Sequence, residues 1–248
     1  MTTTLETFDA GFPGDTVASG VNGINAIIEG TQTYETGYHG ATRVRAGGSA
    51  NTANTRFRVN LGLSGDHYGS VYCINKTAHG SGSSAVNFLY IVDNSNGHLV
   101  RFRVKPSNAL SLVNAAGTEL SAGAAGDVPV NSNFRLDWHL SGTTLDWRLF
   151  YDPEAASTDT PDRSGTATVT SATAAAVHLG GQSSASIIKD WSFDTFRATN
   201  TGSWYGAYEP PVVDSGVTVW NGVSEVPATI SIWNGTAEVA VGSVEINP

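Results

Sequence analysis

Apolar and polar residues alternate with a period of two over much of the first 200 residues, and that period predicts short β-strands. Phe134, Leu136, Trp138 and Leu140 share one face of a run in which Arg135, Asp137 and His139 take the other. Ser141-Gly142-Thr143-Thr144 supplies turn residues, and Leu145, Trp147, Leu149 and Tyr151 alternate back. The two runs predict a β-hairpin with one buried face. Residues 86–92 lead into the polar turn Asp93-Asn94-Ser95-Asn96-Gly97, and residues 98–104 return. Residues 41–45 and 55–61 read as two further strands, while Pro106 and the loop 153–165 interrupt the pattern. No segment carries a sustained 3.6-residue stripe, and the Ala-rich stretch 171–177 reads as one helical turn or a loop. About twelve to fourteen strands precede residue 203. So many short antiparallel strands predict an all-β, two-sheet sandwich.

The end of the chain repeats itself. Val219-Trp220-Asn221-Gly222-Val223-Ser224-Glu225-Val226 returns as Ile232-Trp233-Asn234-Gly235-Thr236-Ala237-Glu238-Val239. Asn-Gly is the strongest two-residue hairpin signal, because both residues tolerate positive φ. A segment of fewer than about 40 residues with no cysteine is too small to stabilise itself, so this repeat is expected to pack on something else. Trp220, Asn221, Gly222, Trp233, Asn234 and Gly235 are the candidate assembly residues. Before the repeat, Trp204, Tyr205 and Tyr208 cluster ahead of Pro210-Pro211, and a Pro-Pro pair favours an extended spacer. The expected organisation is a sandwich over 1–203, an aromatic and proline linker over 204–211, and a tandem β-repeat over 212–248 for attachment or oligomerisation.

Composition narrows the class. Hydrophobic residues make up 40% and charged residues only 14%, with 28 glycines, which suits strands and tight turns. A net charge of −9 argues against non-specific nucleic-acid binding, which needs a basic footprint. No apolar run approaches the roughly 18 residues of a membrane span. The opening Met1-Thr2-Thr3-Thr4-Leu5 lacks the basic and apolar regions of a secretory signal. The single cysteine, Cys73, sits in the apolar run Val71-Tyr72-Cys73-Ile74 and reads as a small buried side chain. A glycine-, serine- and threonine-rich acidic β-protein without an export signal fits a virion protein, assembled in the host cytoplasm and released by lysis.

Two stretches carry a family likeness. Leu5-Glu6-Thr7-Phe8-Asp9 and Ile188-Lys189-Asp190-Trp191-Ser192-Phe193-Asp194-Thr195-Phe196-Arg197-Ala198 resemble the first and closing strands of the concanavalin A-like lectin/glucanase superfamily, especially laminin G-like jelly rolls. The run Val177-His178-Leu179-Gly180-Gly181 resembles the loop that precedes the closing strand there. The resemblance implies a jelly roll whose first and last strands are neighbours. It also allows a calcium ion at the sandwich rim, for which no residues can be assigned; no other cofactor is implied. The Trp-Asn-Gly repeat resembles those that end minor tail proteins of actinobacterial phages. That likeness implies a minor tail or capsid-associated virion protein, partnered by other virion proteins and by copies of itself.

Candidate chemistry is sparse. The paired carboxylates of the glucanases (Glu-x-Asp-x-x-Glu) are missing. Glu6 and Asp9 point to opposite faces of a strand, and Asp190 and Asp194 flank Trp191 and Phe193 on an expected edge strand. The six histidines show no zinc-ligand spacing. Asp93–Gly97 lacks the acidic spacing of a calcium loop. Three Arg-x-Arg pairs, Arg43/Arg45, Arg56/Arg58 and Arg101/Arg103, each project to one side of a strand. They form either an anion-binding face for acidic wall polymers or phosphorylated glycans, or a solvated face paired with carboxylates; the net charge favours the second. Trp138, Trp147 and Trp191 belong to the core. Trp204, Tyr205 and Tyr208 form a docking surface or a stacking platform. Candidate ligand residues are therefore Arg43, Arg45, Arg101, Arg103, Trp204, Tyr205 and Tyr208. The expected function is non-enzymatic adhesion, with weak sites for host surface polysaccharide multiplied by avidity. A free bacterial carbohydrate-binding module is the alternative, and a glycan hydrolase follows behind it.

Overall fold

The computed structural model describes residues 3–6, 8, 12–20, 23–39, 42–50, 52–63, 65–80, 84–170, 173–200 and 202–209, with four short strands beyond them. In chain order the first strands are β1 (Thr3–Glu6), β2 (Ala26–Glu29), β3 (Gln32–Thr36), β4 (Thr42–Gly47) and β5 (Arg56–Asn60). Next come β6 (His67–Asn75), β7 (Val86–Val92), β8 (His98–Val104), β9 (Leu110–Val113) and β10 (Glu119–Ala122). The sandwich closes with β11 (Asn133–Ser141), β12 (Thr144–Phe150), β13 (Arg163–Thr168), β14 (Ala176–Gln182) and β15 (Asp190–Thr199). They form two antiparallel sheets, a concanavalin A-like jelly-roll sandwich. One sheet runs β13-β12-β11-β6-β15-β4-β3, with β1 also on β15, and the other runs β10-β9-β8-β7-β14-β5-β2. β4 pairs with Asp190–Phe193 and β1 with Phe196–Thr199, so these two strands share one lane beside β15. The first and last strands of the sandwich are thus neighbours, as the resemblance implies.

Alternation explains both sheets. Burial in β4 switches at every residue, with Thr42, Val44 and Ala46 inside and Arg43 and Arg45 outside. The inward sets of the two sheets meet in one core that includes Phe57, Phe88, Phe102, Trp138, Trp147, Trp191 and Phe193. The ring of Trp191 stacks on Phe88 at a centroid distance of 4.3 Å. The three core tryptophans are where the alternation places them. Cys73 is buried, and burial raises its thiol well above the ordinary range. Gly69, Trp138, Trp147 and Gly165 form one cross-strand row over β6, β11, β12 and β13. A Cβ on Gly69 would meet the Trp138 ring at 2.0 Å, so the indole occupies the space a side chain would take.

Several expectations are corrected. The sandwich has fifteen strands among the described residues, more than the alternation predicts, because the four-residue strands β2, β9 and β10 are too short to show a period. Residues 177–181 are not a loop but the middle of β14, an interior strand. β15 is not an edge strand either: it lies between β6 and the β1/β4 lane and is buried along its whole length. The hairpin β11–β12 buries both faces of β11, since Arg135 and Asp137 are as inaccessible as Trp138. The loop after β12 covers that second face, and the Pro153 and Ala155 carbonyls accept hydrogen bonds from Arg135 Nη1 at 2.6 and 2.7 Å.

The chain divides into two compact units, Met1–Ala207 and Tyr208–Pro248. Trp204–Ala207, expected in the linker, pack with the first unit. In the second unit, β16 (Thr218–Trp220) pairs with β17 (Glu225–Pro227) and β18 (Ser231–Trp233) with β19 (Glu238–Ala240). The repeated sequence thus yields two repeated ladders. Trp220 pairs with Glu225 and Trp233 with Glu238, which leaves four residues between paired ends in place of a two-residue Asn-Gly loop. Asn221, Gly222, Asn234 and Gly235 lie outside the described residues, as do the side chains of Trp220 and Trp233.

Candidate functional site

The outward face of the sheet containing β14 collects the polar side chains that the sequence scatters. Its register sets one row directly across the strands: Arg58 on β5, His178 on β14, Tyr90 on β7, Arg101 on β8 and Val113 on β9. A second row places Gln182, Asn87, Arg103 and Ser111 side by side. Register is the cause, since residues on different strands share a face only when the pleats match. A cleft of about 400 Å³ opens along this second row, lined by Asn54, Asn87, Arg101, Arg103, Gln182 and Ser183 among others.

The floor of the face is rigid. Tyr90 is fully buried, its hydroxyl donates to Gln182 Oε1, and the Arg56 guanidinium lies 5.2 Å from its ring centroid. Burial pushes the Tyr90 phenol well above its ordinary range. His98 flanks the same ring at 4.8 Å and His178 at 6.4 Å. Burial, and then the charges of Arg56 and Arg58, push His178 down to about 4, so its imidazole is neutral at pH 7. Neither ring nitrogen of His178 has a hydrogen-bond partner among the described residues, and the same holds for Arg101 Nε and Ser111 Oγ. Buried polar atoms are normally satisfied, and these four all belong to strands of one face.

The arginines divide into two groups. Arg43 donates to Glu35 at 2.7 Å and Arg45 to both oxygens of Asp190 at 2.8 and 2.6 Å, on the outward face of the other sheet. Arg56 meets Glu29 at 3.2 Å. Arg58, Arg101 and Arg103 form no ion pair among the described residues. Neutral groups hold them instead: Arg103 Nε donates to Asn87 Oδ1 at 3.0 Å, and Arg101 Nη2 to the carbonyls of Asn114 and Ala115 at 2.7 and 3.1 Å. Burial, and next the adjacent charge of Arg101, lower the basicity of Arg103.

The structure therefore brings Arg101 and Arg103 together with Arg58, and sets Arg43 and Arg45 apart on the opposite surface. Trp204 and Tyr205 also belong to that opposite surface. The Arg148 guanidinium lies 4.1 Å over the Trp204 ring, and Arg197 lies 4.6 Å over Tyr205, whose hydroxyl burial pushes up to about 12. They are docked on the sheet rather than splayed from it. Tyr208 opens the second unit. Asp190 is held by Arg45, while Asp194 Oδ2 accepts the amides of Tyr38 and His39 at 2.6 and 3.0 Å. Among the described residues no group of three or more His, Cys, Asp or Glu forms a metal cluster. Asp93 Oδ1 accepts from the amides of Ser95 and Gly97 at 2.8 and 2.7 Å, which folds its loop as a polar turn. Sequence reading missed Asn87, Tyr90, His98, His178 and Gln182. They are isolated polar residues scattered over three mostly apolar strands, β7, β8 and β14, and only cross-strand register shows that they share a face.

No protein-family model matches the chain, and no curated protein matches it. Solved structures do. The cellulose induced protein Cip1 is 17% identical over 80% of this chain and 97% of its own, with a TM-score of 0.54. Lectin II from Ulex europaeus is 10% identical over 80% of this chain and 97% of its own, with a TM-score of 0.48. The lumenal domain of VIP36 in its calcium-bound form is 8% identical over 84% and 96%, with a TM-score of 0.49. At 17% identity the likeness to Cip1 shows the fold and no more.

Proposed function

We propose that this chain is a non-enzymatic adhesion protein that binds glycan chains on the outward face of the β10-to-β2 sheet. The observation that carries the reading is the in-register row Arg58–His178–Tyr90–Arg101, with unpartnered buried polar atoms beside a cleft. Planar polar groups on a rigid floor suit the hydroxyl-rich surface of a sugar, because the fixed side chains lose little entropy on binding. A hydrolase needs two carboxyl groups within about 10 Å of each other. On the described strands of this face Glu29 lies on β2 and Glu119 on β10. These are the outermost strands of a seven-stranded sheet, about 29 Å apart at the usual strand spacing.

We place the protein on a bacteriophage virion, with the tandem ladders as attachment or oligomerisation segment and the sandwich facing outward. The likeness of the Trp-Asn-Gly repeat supports this, and immunogold electron microscopy of purified particles tests it. Label at a fixed position on particles is the expected result. Antigen found only as soluble protein leaves a free carbohydrate-binding module using the same face. The glycan reading is tested separately, by screening the whole chain on a glycan array against Gln182→Ala and His178→Ala variants. Binding that these variants weaken supports it. Binding unchanged in both, with intact folding, moves the site elsewhere.

A further inference from the structure

We infer that the glycan taken by this face is anionic, bearing carboxylate or phosphate groups that Arg101 and Arg103 grip at the cleft and Arg58 meets further along the chain. The inference rests on the reading of this face as a glycan site and adds the chemical class of the ligand.

The neighbours of the three arginines carry the argument. When an arginine merely balances a sheet, its cross-strand partner is acidic, because opposite charges placed directly across strands stabilise the pair. Arg43 opposite Glu35 and Arg56 opposite Glu29 follow that rule, and Arg45, between Thr33 and Ser192, reaches the carboxylate of its diagonal neighbour Asp190 instead. The other three do neither. Arg101 stands between Tyr90 and Val113, Arg103 between Asn87 and Ser111, and Arg58 between His178 and Ala26. This is not a shortage of carboxylates, since the chain holds 22 acidic residues against 13 basic ones. On the described strands of this face Glu29 pairs with Arg56 and Glu119 with Lys105, so among the described residues the three guanidinium groups have no ion pair, and Glu119 acts on Arg103 only from a distance.

These arginines are also held in place. The amide of Asn87 and two backbone carbonyls fix Arg103 and Arg101, while Asn60 and Asn96 accept hydrogen bonds from Arg58. Every one of these fixing groups is neutral, so the positive charge is oriented without being cancelled. A fixed guanidinium fork matches carboxylate and phosphate geometry. Arg101 and Arg103 sit two residues apart on one strand, about 7 Å, whereas Arg58 lies three strands from Arg101, about 14 Å at the usual spacing. That spread fits a chain with recurring anionic groups better than one charged sugar.

The test measures binding of the whole chain to three probes: polygalacturonate, its carboxyl-reduced neutral counterpart, and a glycosylated polyglycerol phosphate. Wild type is compared with Arg101→Ala/Arg103→Ala, and with Arg163→Ala on the other sheet as a control for bulk charge. Thermal melts confirm folding. The expected result is binding to one or both anionic polymers, lost on carboxyl reduction, weakened at least about tenfold by the double variant and unchanged by the control. Which anionic polymer binds decides between carboxylate and phosphate. Equal binding of the neutral polymer, or a double variant that binds as well as wild type, overturns the anionic class and leaves the glycan reading standing. Binding to none of the three by a folded chain that binds neutral glycans on the array overturns the anionic class alone, and a folded chain that binds nothing on either overturns both.

Discussion

His178 and Arg58 are direct cross-strand partners on β14 and β5, so a permanent cation stands beside an imidazole. Burial first, and then Arg56, Arg58 and His98, hold His178 at about 4. Its folded value lies below the ordinary 6.5. Between about pH 6.5 and 4 the unfolded chain therefore takes up a proton that the folded chain refuses. The contribution is full above 6.5 and is lost as pH falls toward 4. We expect wild type to lose about 2 kcal/mol more than His178→Gln over that window, once solvent screening is allowed for. Thermal melts of both proteins from pH 4 to 7 measure the difference. His67, His79 and His98 are lowered as well, and Asp137 is raised to about 6 with the opposite sign, so the comparison must be between variants. Parallel profiles for the two proteins would sink the assignment.

Arg135 and Asp137 form a fully buried ion pair, with Nε 3.1 Å from Oδ1, beneath the loop that Arg135 also holds through Pro153 and Ala155. Removing one partner strands the other charge in a site closed to bulk solvent. Arg135→Ala should cost about 3–5 kcal/mol, whereas replacing both partners by apolar residues should cost far less. Urea denaturation of Arg135→Ala, Asp137→Leu and the double variant Arg135→Met/Asp137→Leu tests this. If the double variant is as unstable as the sum of the single ones, the pair is not coupled as described.

The glycine opposite Trp138 makes a sharper claim. Alanine normally suits a strand better than glycine, because glycine loses more freedom on folding. At Gly69 the Trp138 ring leaves no space for a Cβ, and Trp138 Nε1 is tied to His67 Nε2 at 3.2 Å. Gly69→Ala should therefore destabilise by about 1–3 kcal/mol through overpacking. Gly165, whose Cβ would meet the Trp147 ring at 2.9 Å, should show the smaller loss. Chemical denaturation of the two alanine variants checks the order, and a more stable Gly69→Ala protein would refute the packing.

How much of this was legible follows from the range of each cause. Alternation along one strand is local, so β8 and the β11–β12 hairpin, including the facing tryptophans Trp138 and Trp147, stand in the sequence as they stand in the fold, whereas β7 keeps its bounds but is buried throughout, with a bulge that puts Phe88 and Leu89 both in the core. The outward direction of each Arg-x-Arg pair was legible for the same reason. Register between strands distant in sequence is not local. His178 meets Tyr90 and Arg58 only because β14 inserts between β7 and β5, and no spacing records that. The second cover on β11 was hidden likewise. Arg135 and Asp137 look like solvent-facing residues until the loop after β12 folds over them.

The tail yields the last prediction. The unit ending at Ala207 is compact and contains every strand of the sandwich. The second unit contributes two ladders of three-residue strands, and two-stranded hairpins of that length are marginal alone in water. Ending the chain after Pro211 should therefore leave a soluble sandwich whose thermal midpoint and glycan binding match those of the whole chain. If the ladders serve assembly, the same truncation should abolish oligomers and incorporation into particles, and it should lower avidity for multivalent surfaces without changing affinity for short oligosaccharides. Light scattering of the two proteins reports the first loss, particle blots the second, and paired binding to immobilised and soluble glycan the third. A truncated chain that still enters particles refutes the attachment role of the ladders. One that fails to fold shows instead that the ladders complete the sandwich.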